Sequence, residues 1–139
     1  MPKFIWTEKN SVGVEEIDKQ HQHFFALANE IIALSEQADV QLRGLLFKVT
    51  NLSSYAVYHL LTEEKIFKKY DYPDAKEHIT AHDVYREKMK KLVDAVEKES
   101  PDTKALSNEM AAFAGDWLMN HIMAMDKKYV DFMHKNGIK

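Results

Sequence analysis

Four stretches of this chain carry apolar residues at alternating steps of three and four, a spacing that commits it to helices packed face to face. An α-helix turns every 3.6 residues, so such a stripe runs down one side and has to be buried against neighbouring helices. The stripes read Ile17, His21, Phe24, Ala28, Ile31, then Leu45, Val49, Leu52, Ala56, His59, Glu63, Ile66. The last two read His78, His82, Tyr85, Met89, Leu92, Val96 and Met110, Ala114, Trp117, His121. They predict helices over about 16–37, 41–70, 75–98 and 101–134, after an irregular arm of residues 1–15 that turns at Gly13. Asp39 is the expected N-cap of the second helix, and Asp74, with Glu77 at the capping-box position, that of the third. Ser100-Pro101 is expected to open the fourth. Links this short make sequential helices antiparallel. The expected fold is all-α, an antiparallel up-down-up-down four-helix bundle, with residues 1–139 forming a single domain.

Composition narrows the function classes. A net charge of −3, with no basic patch interleaved with aromatics, predicts neither a nucleic-acid nor a membrane-surface partner. The chain contains no cysteine, which removes disulfides, iron–sulfur clusters, thiolate zinc sites and thiol nucleophiles together. No apolar run approaches the ~20 residues of a membrane span. The opening MPKFIWTEKN has no signal-peptide core, so the expected address is cytoplasmic. No extended apolar outer face is evident, and a monomer is expected.

The polar members of the stripes carry the chemistry. One histidine on an apolar face reads most simply as a hydrogen-bonded core residue. Glu63 is harder to dismiss, because a buried unpaired carboxylate costs several kcal/mol and no Lys or Arg shares these stripes. A metal is the simplest partner. His59/Glu63 and His78/His82 are i,i+4 pairs, which stand one above the other on a helix face. The alternating helix directions bring His21, His59, Glu63, His78, His82 and the region after His121 to one end of the bundle. Mixed imidazole and carboxylate donors suit iron, and also zinc, manganese or cobalt.

Asp126 is the seventh candidate. It follows His121 by five residues, which turns it well away from the histidine on a regular helix, yet the apolar stripe slips there too and continues through Tyr129 and Met133. One inserted residue would do this, so a π-type widening is predicted within 121–126. His23 points to a different face from His21, and His134 suits the helix dipole at the last turn; neither is expected to bind metal. Met119, Met123, Met125 and Met133 are expected to fill the core.

The set His21, His59-x-x-x-Glu63, His78-x-x-x-His82 and His121-x-x-x-x-Asp126 resembles the hemerythrin family, and within it the bacterial single-domain hemerythrins. SVGVEEIDKQH before the first histidine, YP ahead of the third helix and DWLMNHI around His121 extend the resemblance over nearly the whole chain. It implies two iron ions with a bridging oxo or hydroxo group. His78, His82 and His121 would hold one iron, His21 and His59 the other, with Glu63 and Asp126 bridging them. It also implies reversible O2 binding at the iron with fewer histidines. The family's pocket Trp and Leu map to Trp117 and Leu118, with Phe24 beside them, and Leu60 replaces a common aromatic. Two six-coordinate ions filled by these seven residues and one bridging oxygen keep a single open position, which suits O2.

Ferritin-like di-metal oxidases use Glu-x-x-His motifs, and no Glu stands three residues before any His in this chain. The reading is therefore an O2-binding protein for storage, delivery or sensing rather than an enzyme. Three alternatives use the same centre: a di-iron peroxide or nitric oxide reductase, a free-standing iron or redox sensor acting through an unidentified protein partner, and a two-metal hydrolase.

Overall fold

A computed structural model of the chain describes residues 3–98 and 102–139. Among them every regular element is helical: α1 (Glu15–Ser35), α2 (Leu42–Tyr70), α3 (Ala75–Glu97), α4 (Thr103–Ala124) and a short α5 (Val130–Lys135). Two 3-10 turns, Glu8–Asn10 and Asp126–Tyr129, precede α1 and α5. Each long helix packs on its neighbours in sequence and α4 closes back onto α1, making an antiparallel four-helix bundle. The apolar stripes meet along its axis, with Phe24, Ile31, Leu45, Leu52 and Met110 wholly buried. Ile66, Leu92 and Trp117 lie at the stripe edges and are only half-buried.

Local chemistry sets the ends. α2 stops where Asp71 takes a left-handed φ of 54° and the Tyr72 N–H reaches back to the Phe67 carbonyl at 3.0 Å. The two rings of that turn also meet, 4.8 Å apart, and Pro73 prevents the helix from continuing. The arm is clamped rather than loose. Phe4 gives its N–H to Asn29 Oδ1 at 2.8 Å and takes Asn29 Nδ2–H on its carbonyl at 2.9 Å. Its ring occupies the space over Gly115, where an added Cβ would stand 2.1 Å from it. Gly13 turns the chain into α1 with φ +67°.

Several expected details differ. Asp39 does not cap α2; it is exposed in the link, while Val40 packs on the core and Gln41 occupies the cap position without a side-chain hydrogen bond. Asp74 holds the α3 cap position but makes no side-chain cap bond, and Glu77 pairs with Lys128 at 3.8 Å instead. Asp102 precedes α4, and Ser100-Pro101 lies outside the described residues. Met123 is 49% exposed, not core, and receives a contact from Asn10 Nδ2 at its sulfur.

The largest correction concerns residues 121–126. The backbone does not widen there; it breaks and tightens. The last α-type bond runs from Met125 N–H to the His121 carbonyl at 2.8 Å, and the next, from Lys128 N–H to Met125, already spans three residues at 3.0 Å. Met125, at φ −116° and ψ −53°, absorbs the change. A stripe slip reports a phase shift, and a helix can shift phase by interruption as well as by insertion.

Candidate metal centre

His21 comes from α1, His59 and Glu63 from α2, His78 and His82 from α3, His121 from α4 and Asp126 from the turn after it. All seven are buried. They form two sets: Glu63 with His78, His82 and His121, and Glu63 with His21, His59 and Asp126, the donor atoms in each within 4.8 Å of one another. Glu63 thus belongs to both. Asp126 also faces both sets, its Oδ1 3.1 Å from His78 Nε2 and 3.0 Å from His121 Nε2, its Oδ2 3.1 Å from His21 Nε2. Glu63 Oε1 stands 3.1 Å from His82 Nε2, and Oε2 stands 4.0 Å from His59 Nε2.

These atoms lie close without bonding to one another. Nε2 of His21, His59 and His82, Oε1 of Glu63 and both oxygens of Asp126 are buried with no hydrogen-bond partner among the described residues. Each such atom costs ~1–3 kcal/mol, and more when charged. Nε2 of His78 and of His121 face each other at 3.0 Å. Lone pairs aimed at a shared point in a dry core fit metal ions, and the donor set of five imidazoles and two carboxylates suits iron.

Without metal charge the cluster is electrostatically mismatched. Burial pushes His59 down to about 4, against the pull of Glu63. Burial also works against the charge on His78, but Asp126 and Glu63 outweigh it and hold that imidazole up at about 9. Burial raises both carboxyls, and Asp126 also raises Glu63, yet the surrounding imidazoles win, and Glu63 and Asp126 stay below the usual carboxylate range. Without metal, two carboxylates therefore share the cluster with a charged His78 as counter-charge, and metal ions would take the place of that proton.

A supporting layer orients the inner groups, and sequence reasoning missed it. Gln20 Oε1 lies 2.8 Å from His59 Nδ1 and Glu64 Oε2 lies 2.6 Å from His82 Nδ1. With each Nδ1–H donating outward, Nε2 of each ring keeps its lone pair for the centre. Arg86 in turn holds Glu64 at 2.7 Å, and the Tyr129 hydroxyl donates to Glu63 Oε2 at 2.5 Å. Gln20 was detectable, since it lies three residues after Ile17 and four before Phe24 on the apolar stripe.

The expected pocket residues divide. Phe24 meets His59 edge-on, with ring centroids 6.2 Å apart. Leu60 and Leu118 are buried. Trp117 lies flat on His121, 4.3 Å away with the planes at 14°. His23 sits against Tyr55 at 4.3 Å, and His134 Nε2 holds the Gly13 carbonyl at 2.7 Å; neither joins the cluster.

Residues 12–133 match the family model described as the hemerythrin HHE cation binding domain. The chain belongs to the hemerythrin family. A bacteriohemerythrin of Methylococcus capsulatus is 30% identical over 135 residues, covering 93% of this chain and 95% of its own length. A myohemerythrin of Riftia pachyptila is 28% identical and covers 91% of this chain and 90% of its own. The crystal structure of a wild-type hemerythrin superposes with a TM-score of 0.71 at 26% identity, over 92% of this chain and 95% of that one.

Proposed function

We propose that this member of the hemerythrin family binds O2 reversibly at a pair of iron ions, as a store, carrier or sensor rather than an enzyme. His78, His82 and His121 hold one iron, His21 and His59 the other, and Glu63 and Asp126 bridge the two with a shared oxo or hydroxo group. The observation that carries this reading is the membership of Glu63 in both buried sets, with Asp126 facing histidines of both. A carboxylate with one oxygen toward each of two groups of imidazoles is placed to bridge two cations. Once bound, a ferrous pair supplies the electrons that hold O2.

The chain's own residues do the rest. Gln20 and Glu64 fix the tautomers of His59 and His82, and the Tyr129 hydroxyl, donating to Oε2, orients the Glu63 carboxylate between the two sets. The unequal histidine count leaves the open position on the His21–His59 side, where Phe24, Leu60 and Leu118 exclude water. An optical spectrum tests the reading: iron-loaded protein reduced under argon should gain a visible band in air and lose it under renewed argon. Absence of the band, or its irreversible decay on first exposure, would count against reversible binding.

A further inference from the structure

Trp117 touches the three-histidine set directly. Its indole stacks on His121 at 4.3 Å and 14°, and lies 6.2 Å from His82, both of the three-histidine set. The residue is half-buried, so one π-system bridges solvent and a candidate metal-binding imidazole. We propose that Trp117 is the electronic contact through which an external one-electron donor, such as a reduced flavin, returns the oxidised centre to its ferrous state; this rests on the di-iron reading above. The electron transfer itself makes and breaks no covalent bond, and protons drawn from solvent balance the added charge. The donor loses one electron, the indole–imidazole stack carries it, and one ferric ion becomes ferrous, so two such events reset the pair.

The neighbouring rings make Trp117 the terminus. Tyr85 lies 4.5 Å from it and Phe113 stacks on Tyr85 at 5.5 Å. The Tyr85 hydroxyl is buried without a hydrogen-bond partner among the described residues, so none of them is placed to take the proton that an oxidised tyrosine sheds. Charge exchanged with the centre therefore stays on the indole. O2 then meets the centre at the two-histidine end, and electrons enter at the three-histidine end.

The chain has two tryptophans, so Trp6→Phe leaves Trp117 alone and unaltered. That variant, loaded with ferrous iron or with redox-inert zinc and assayed for metal, is flash-oxidised by a photogenerated one-electron oxidant. Transient absorption follows the tryptophan radical. With iron the radical should decay at least about tenfold faster than with zinc, as ferric absorption rises at the same rate. In addition, Trp117→Leu should slow reduction of the diferric protein by photoreduced flavin at least about tenfold, while Trp117→Phe, which keeps a stacked ring, stays within about threefold. Equal radical lifetimes with both metals, or undiminished reduction of the Leu variant at full iron content, would overturn the proposal. Failure of the wild-type chain to take up two irons would contradict the centre itself, before any question about Trp117.

Discussion

The same four helices build two halves that hold together for opposite reasons. Away from the centre, Ile31, Leu45, Val49, Leu52, Val96 and Met110 fill the axis with apolar side chains, and burial alone stabilises them. Around the centre the same stripe positions carry His21, His59, Glu63, His78, His82 and His121, all buried, and the inward atoms of His21, His59, Glu63 and His82 have no hydrogen-bond partner among the described residues. The heptad-like spacing therefore determines where residues go and not what holds them there. One half is complete when the chain folds. The other requires cations.

Removing the metal should expose that contrast most strongly. The metal-free protein should melt well below the loaded form, by several kcal/mol, and amide exchange should speed up first in the histidine-bearing half. Equal melting temperatures after verified metal removal would erase the distinction. A pair of substitutions sharpens it. Glu63→Ala should lose both irons and cost ~3–5 kcal/mol, because it strands imidazoles and the Tyr129 hydroxyl in a dry core. Leu52→Ala should cost a similar ~2–5 kcal/mol as a cavity yet keep its full iron content, measured by denaturant melts and metal analysis.

Smaller effects follow from the charges. In the metal-free protein His78 is held at about 9, above its ordinary 6.5, chiefly by Asp126 and Glu63 against the opposing effect of burial. The stability it contributes is full below about 6.5 and is lost as pH rises through about 9. Melts between pH 7 and 10 should therefore show the metal-free protein weakening over a range in which the loaded one, with neutral imidazoles bound to metal, does not. Glu64→Gln or Gln20→Leu should weaken metal affinity by roughly 10–100-fold while sparing the fold. Competition with a chelator reads that loss, and unchanged affinity would reduce the supporting layer to packing. His23→Ala should leave metal content unaltered, since that ring rests on Tyr55 outside the cluster.

The stripes made the bundle and most of the cluster legible, because a carboxylate and five imidazoles at apolar helical positions are hard to explain otherwise. Asp126 was legible as a phase slip but not as a 3-10 turn, since periodicity records rotation and not the hydrogen bonds that produce it. The α2 cap was misread for a related reason. Asp39 has the right side chain, but burial of Val40 fixes where the link ends. Glu64 and Arg86 gave no periodic signal, because their partnership with His82 arises only when α2 and α3 pack together. Tyr129 was visible as a core residue, while its bond to Glu63 joins positions 66 residues apart and could not be read from spacing.

The central claim is that seven groups from four helices and one turn enclose two cations at a single buried point. Anomalous scattering at the iron edge, from crystals of the iron-loaded protein grown without oxygen, tests it most directly. Two iron peaks are predicted, one beside His78, His82 and His121 and the other beside His21 and His59, with Glu63 and Asp126 touching both. A single peak, or iron bound elsewhere while these side chains keep their present distances, would contradict it.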